Sequence, residues 1–309
     1  MLNLFLQLGF FITLGVAWRY VKPMGISAGA MLRPMLVLLY TVFLPALTLS
    51  VMWKLPFTST TLRIVLVMVV TTAAGLAAAW FYFKSRGISP RSQGAYIIAA
   101  AFGNVLILGM PVTQALVAKW TTRGAVEFEV FAVLPLLFTA GVIIAHKLGE
   151  KGSESPGIGL IKQPIIIMAL LGLLLNLAKV KMPGIVAVWL QLATVGIVPL
   201  SMIAIGFALQ WQKQWNELLS HLLPVAVIQL VIMPLAMWGL FHIFDLSGPQ
   251  TFRSMMLQAA MPTMLIGFLF CEKYKLDMTA YTAAFSFTTV VSIATTPLWL
   301  SLMQNGVFK

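Results

Sequence analysis

Two short stretches hold the residue types from which a binding site could be built. "FGNVLILGMPVT" places Gly103, Asn104, Gly109 and Pro111 in one apolar run, and "QAAMPTML" places Gln258, Pro262 and Thr263 in another. Glycine lowers helix propensity by ~1 kcal/mol relative to alanine. Proline removes a backbone donor and crowds the carbonyl four residues earlier. Both runs are therefore expected to break in mid-course, the second half-helix of the first beginning near Pro111. A helix that starts inside a membrane presents unpaired amides and a positive dipole end equivalent to about +0.5 charge. Two such ends, flanked by the amides of Asn104 and Gln258, would form a site for an anion, most economically a carboxylate. Neither run carries Lys or Arg at its middle, as expected where dipoles and amides replace a costly buried cation. A kinked helix with an asparagine as interhelical glue is the plainer reading of either run alone. Their occurrence in both halves of the chain favours a site.

The elements that position these residues follow from composition. The chain has 309 residues, 60% hydrophobic and only 9% charged, with a mean hydropathy of +0.97. Soluble domains carry roughly 25% charged residues. Apolar runs of about 20 residues, each able to cross ~30 Å of hydrocarbon, recur throughout. They are continuous, where a transmembrane barrel would alternate over ~10-residue segments. The fold class is an all-α polytopic membrane protein. The net charge of +12 is scattered over short loops with no patch for nucleic acid, and serves snorkelling and topology. The single cysteine, Cys271, excludes an internal disulfide. "LNLFLQLGFFITLGVAW" lacks a basic leader and has Arg19 behind it, so it reads as a retained first span.

Ten spans are expected, at 3–20, 32–53, 62–84, 93–119, 126–146, 163–179, 184–210, 219–243, 252–274 and 279–303. The longest polar connection, residues 147–163, falls at the centre as a linker and separates 1–146 from 164–309. Pro45 and Pro111 are 66 residues apart, and Pro199 and Pro262 are 63 apart, which suggests two five-helix repeats. An odd number of spans per repeat inverts the second copy, an arrangement that recurs in secondary transporters, with the fourth and ninth helices crossed and broken. With both termini outside, 12 cationic residues fall on inside loops and 8 outside, the direction the positive-inside rule requires.

These residues resemble a known family. "NVLILGMPV" is similar to the fourth-span signature of the auxin efflux carrier family, and "QAAMPTMLIGFLFCEKYKLD" to its ninth span. "PIIIMALLGLLLNLAKVKMPGIV" with "VPLSMIAIGFAL", and "TTVVSIATTPLWLSLM", resemble its sixth, seventh and tenth. The family includes plant auxin exporters and bacterial carriers, some associated with malonate and other small carboxylates. The resemblance implies inverted repeats, crossed broken helices and elevator-like alternating access. It carries family roles onto Asn104, Gly109, Pro111, Gln258 and Pro262. The short linker matches the compact bacterial kind. Plant members have an acidic residue ahead of a cation near the third span; here Arg63 is preceded by Ser59, with no carboxylate.

The expected function is a secondary carrier of small organic anions, auxin-like or malonate-like, in the bacterial inner membrane. Its site comprises Gly103, Asn104, Gly109, Pro111, Gln258, Pro262 and Thr263, with Thr48 and Ser50 as further polar candidates near Pro45. No catalytic residues, resident metal or cofactor are expected. Membrane enzymes need a nucleophile–base or metal constellation, whereas His146, His221 and His242 stand at span ends. The 18 methionines read as adaptable packing. All eight acidic residues fall at span ends or in loops, Glu127 and Glu129 as interfacial charges. Coupling to sodium or protons stays open, as does a homodimer. The alternatives are an ion-coupled symporter of another metabolite, a channel, or a membrane-embedded sensor. The partners expected are the anion and the lipid bilayer.

Overall fold

The computed structural model describes residues 2–56, 58–150, 158–210, 215–244, 246 and 248–305. Residues 151–157 of the central linker lie outside the described residues. The described chain is helical, and its one β feature is an isolated antiparallel bridge between Gly103 and Thr263. In order, the main helices are α1 (Leu2–Val21), α2 (Ala28–Met52), α3 (Ser59–Lys84), α4 (Pro90–Ala101), α5 (Val105–Leu116) and α6 (Lys119–Leu148). They continue with α7 (Pro164–Leu177), α8 (Gly184–Ala208), α9 (Leu218–Ile243), α10 (Pro249–Ala259), α11 (Gly267–Lys273) and α12 (Met278–Gln304). Six of them, α2, α3, α6, α8, α9 and α12, are long and apolar enough to cross a membrane. The chain is thus an integral, polytopic helical membrane protein.

Several helix starts are written in the sequence. Ser27, Thr58 and Ser89 accept from the backbone N–H three residues on, and Asp277 accepts from Thr279 and Ala280. Each side chain satisfies donors that a helix N-terminus leaves unpaired.

The helices gather into two compact units: Met1–Phe57 with Ile158–Leu209, and Thr58–Gly157 with Gln210–Lys309. Each unit draws on both halves of the chain, so the halves read as repeats are not the packing units. In the first unit, α1 and α8 meet backbone to backbone. A Cβ on Gly15 would stand 2.8 Å from the Cα of Gly206, the close approach that small residues allow between membrane helices. Arg19 Nη2 donates to the Phe207 carbonyl at 2.9 Å. Asn176 Nδ2 donates to the carbonyls of Trp53 (2.8 Å) and Leu55 (3.0 Å), tying the end of α7 to the end of α2.

Four prolines share a local device. Pro45, Pro111, Pro135 and Pro234 each stand two residues beyond a π-helical turn, at Leu39–Phe43, Val105–Gly109, Glu129–Val133 and Ile228–Ile232. A proline ring collides with the carbonyl of residue i−4 in a regular helix. Widening the preceding turn by one residue moves that carbonyl aside. At Pro234 the carbonyl left without a donor belongs to Leu230, and Trp299 Nε1 donates to it at 2.8 Å. Pro34, Pro199, Pro224 and Pro297 lie inside helices without such a turn.

Helix α6 corrects one expectation. It begins at Lys119, not near residue 126, so Glu127 and Glu129 lie about two to three turns inside it. They are 3% and 5% exposed, buried against the protein. Glu127 accepts from Arg123 Nε at 2.8 Å. Glu129, ten residues into the helix, is about 15 Å along its axis.

Candidate functional site

The site is built in the second unit, where α4–α5 and α10–α11 are each broken in the middle. Helix α4 stops at Ala101, and α5 resumes at Val105 after an extended Phe102. Helix α10 stops at Ala259, and α11 resumes at Gly267. The two interruptions run past each other in opposite directions. Asn104 N donates to the Pro262 carbonyl (2.7 Å), and Met264 N donates to the Phe102 carbonyl (2.9 Å). These two bonds bracket the Gly103–Thr263 bridge.

Breaking a buried helix orphans backbone groups, and side chains collect them. The Ala99 carbonyl, which a continuous helix would pair with Gly103, accepts from Thr263 Oγ1 at 2.8 Å. Thr288 Oγ1 accepts from Thr263 N at 3.2 Å. Tyr281 donates its hydroxyl to the Met264 carbonyl at 2.7 Å. In a membrane interior such freed groups must find partners within the protein.

At the start of α5, Leu108 and Gly109 N–H both donate to the Asn104 carbonyl, and Val105, Leu106 and Ile107 supply the N–H groups that the first turn of a helix leaves without an intrahelical partner. Asn104 stands at the N-cap position yet makes no side-chain cap bond. Asparagine there ordinarily accepts from the second or third amide. Its Nδ2 is buried and also without a partner. Three backbone donors, one side-chain donor and the positive end of α5 therefore meet in a buried place.

The structure brings together Gly103, Asn104, Gly109, Gln258, Pro262 and Thr263. Gly103 allows the chains to cross, since a Cβ on it would stand 3.2 Å from the Met261 carbonyl oxygen. Gly109 accommodates Gln258, whose Oε1 and Cδ occupy the space a Cβ would take. Gln258 Nε2 donates to Thr113 Oγ1 at 3.1 Å, and Thr113 passes its own proton to the Gly109 carbonyl at 2.8 Å. Gln258 thus fastens α10 onto α5, and its Oε1 is left unpaired.

Pro111 is placed differently from the expectation. The second half-helix starts at Val105, and Pro111 lies inside it, absorbed by the π-turn. Pro262 lies in the crossing itself. The two prolines are therefore not equivalent, and the shared interval that aligned them is offset by nine residues from the alignment set by Gly103 and Thr263. Thr48, wholly buried with an unpartnered hydroxyl, and Ser50, half-buried, belong to the first unit.

Sequence reading missed Gln229. It lies in the π-turn of α9, is 0% exposed, and neither polar atom of its amide has a partner. The signal was available as a lone amide in the apolar run "VAVIQLVIMP". Apart from the crossing, a cavity of about 230 Å³ in the same unit is lined by Thr61, Trp120, Arg123, Glu127, Thr251 and Met255, among others.

Apolar helices of spanning length and two buried, interrupted helices define the class: a polytopic helical membrane protein. Comparison with known proteins agrees. Residues 153–300 match the family described as membrane transport protein, and the auxin efflux carrier resemblance read from the motifs is borne out there. An uncharacterized transporter of Methanothermobacter thermautotrophicus is 26% identical over 236 residues, 76% of each chain. By these matches the chain is similar to membrane transport proteins.

Proposed function

We propose that this protein is a secondary carrier of small organic anions, with the carboxylate held at the start of α5. The observation that carries this reading is the set of donors there, the first-turn N–H groups of Val105, Leu106 and Ile107 with the unpaired Nδ2 of Asn104. A helix N-terminus with free amides favours negative charge, and transporters use such half-helix ends for carboxylates. Ten helices in two inverted five-helix repeats, both termini outside the bacterial inner membrane, and an elevator-like motion complete the proposal. The two compact units supply bodies that such a motion requires. No catalytic residue and no resident cofactor enters it.

A second reading adds ion coupling. It rests on Glu129, a carboxyl 5% exposed inside α6 with no ion-pair partner among the described residues. Ionisable groups within spans commonly serve coupling pathways.

The test is binding to the detergent-purified chain, read as thermal stabilisation by small carboxylates against size-matched neutral and cationic analogues, with and without sodium. Carboxylate-selective stabilisation, weakened at least about tenfold in Asn104→Ala with its fold intact, is expected from the loss of one hydrogen bond to a charged group. Stabilisation by neutral or cationic compounds alone would overturn the anion reading.

A further inference from the structure

Gln229 adds to the crossing an amide with both polar atoms unpaired, beside the unpaired Oε1 of Gln258. The amides of α5 and Asn104 Nδ2 are donors only, matched to an anion. Gln229 offers a donor and an acceptor on one group. Its Nε2 stands 2.8 Å from where a Cβ on Gly103 would be, two residues ahead of the first amide of α5. Both its polar atoms are buried and unpaired. An amide left in this state is costly, and a leucine would fill an apolar helix without that cost.

We propose that Gln229 is a specificity-determining residue that pairs, through Oε1, with a hydroxyl or amino group carried on the chain of a carboxylate substrate. Nε2 then adds a donor toward the carboxylate itself. The preferred substrate class is hydroxy- or amino-substituted acids over their unsubstituted counterparts. The inference rests on the organic-anion reading. It extends that reading from charge to the second functional group. A buried acceptor that one ligand pairs and its analogue leaves empty is the arrangement from which enzymes and carriers draw discrimination.

The experiment uses the full chain in detergent and matched acid pairs: glycolate and acetate, lactate and propionate, malate and succinate, alanine and propionate. Each member is titrated with thermal and calorimetric readouts. The expected result is at least about tenfold tighter binding of the substituted member, with the ratio falling near one in Gln229→Met. Methionine keeps the side-chain length and removes both polar atoms, so the unliganded variant is expected to melt at or above the wild-type temperature. Gln229→Leu repeats the test should the methionine variant fold poorly. Equal binding of both members by the wild type overturns the role of Gln229 and leaves the anion reading standing. A preference that persists in both variants also overturns it. No binding of either member, with binding of neutral compounds instead, removes the anion reading and this inference together.

Discussion

Replacing Gly109 by alanine tests the crossing most directly, because two effects of known sign compete. Alanine is the better helix former by ~1 kcal/mol, so substitution of an unencumbered helical glycine stabilises. At Gly109 the new Cβ would fall on Gln258 Oε1 and stand 2.9 Å from Met261 Cγ and 3.1 Å from Gln258 Cδ. Forcing a methyl into a packed interior costs about 1–3 kcal/mol. Gln258 cannot yield without releasing Thr113 Oγ1, a buried hydrogen bond whose loss costs about 1–3 kcal/mol more. After the propensity gain, the net is a destabilisation of about 1–5 kcal/mol, read by thermal unfolding of the purified protein. Gly239→Ala is the control. It has nothing within 4 Å of its Cβ position, and a rise in melting temperature is expected. The pairing is isolated by Gly109→Ala in a Gln258→Ala background, where most of the penalty should vanish. A Gly109→Ala protein as stable as Gly239→Ala, or a penalty unchanged in the double mutant, would refute the placement of Gln258 against α5.

Two further outcomes follow from other parts of the fold. Trp299→Phe removes the donor that pairs the Leu230 carbonyl, and should cost about 1–3 kcal/mol in thermal unfolding; Pro234→Ala restores a backbone N–H to the same helix and should shrink that cost. Glu150, in the loop beyond α6, is held below the ordinary carboxylate range by its bond from Lys275, with Arg91 adding its charge. A depressed carboxyl contributes stability above its unfolded value that is lost as pH falls through its folded one, so the acid limb of a melting-temperature profile below about pH 4.5 should flatten in Lys275→Met.

How much was legible in the sequence depended on whether a signal was local. The breaks were legible at Gly103–Asn104 and at Pro262–Thr263, since glycine, proline and amides in an apolar run have few other uses. The helix starts at Thr58, Ser89 and Asp277 are likewise local, each carried by a capping side chain. The placement of Pro111 was not legible. A proline reads as a helix breaker in sequence, while a π-turn lets the helix run on, and that turn leaves no residue signature of its own. The burial of Glu127 and Glu129 was not legible because α6 extends back to Lys119 through "KWTTRGA", a stretch too polar to be counted in an apolar window. The depth of Glu127 is tolerable because Arg123, one turn earlier, pairs with it, and that pairing is invisible to hydropathy. The two compact units were not legible either. They join helices 188 residues apart in sequence, as Arg19 and Phe207 are, and no periodicity reports such contacts.

The offset prolines change what the crossing depends on. If two prolines broke two helices, the site would be symmetric and its stability would rest on the absence of backbone donors. Instead one break is made by Gly103 and closed by a side chain of the opposite strand, Thr263, which takes the Ala99 carbonyl while Thr288 takes its amide. On that side the amides of Thr263 and Met264 are both taken, by Thr288 Oγ1 and the Phe102 carbonyl. At the start of α5, Asn104 makes no side-chain cap bond and its Nδ2 has no partner. In the proposed carrier, the amides at the start of α5 and Asn104 Nδ2 would hold the carboxylate in place of a buried cation. A buried cation would bind more tightly but would also be trapped in hydrocarbon when the site empties. Dipoles and amides avoid that penalty, and a carrier must empty its site in every cycle.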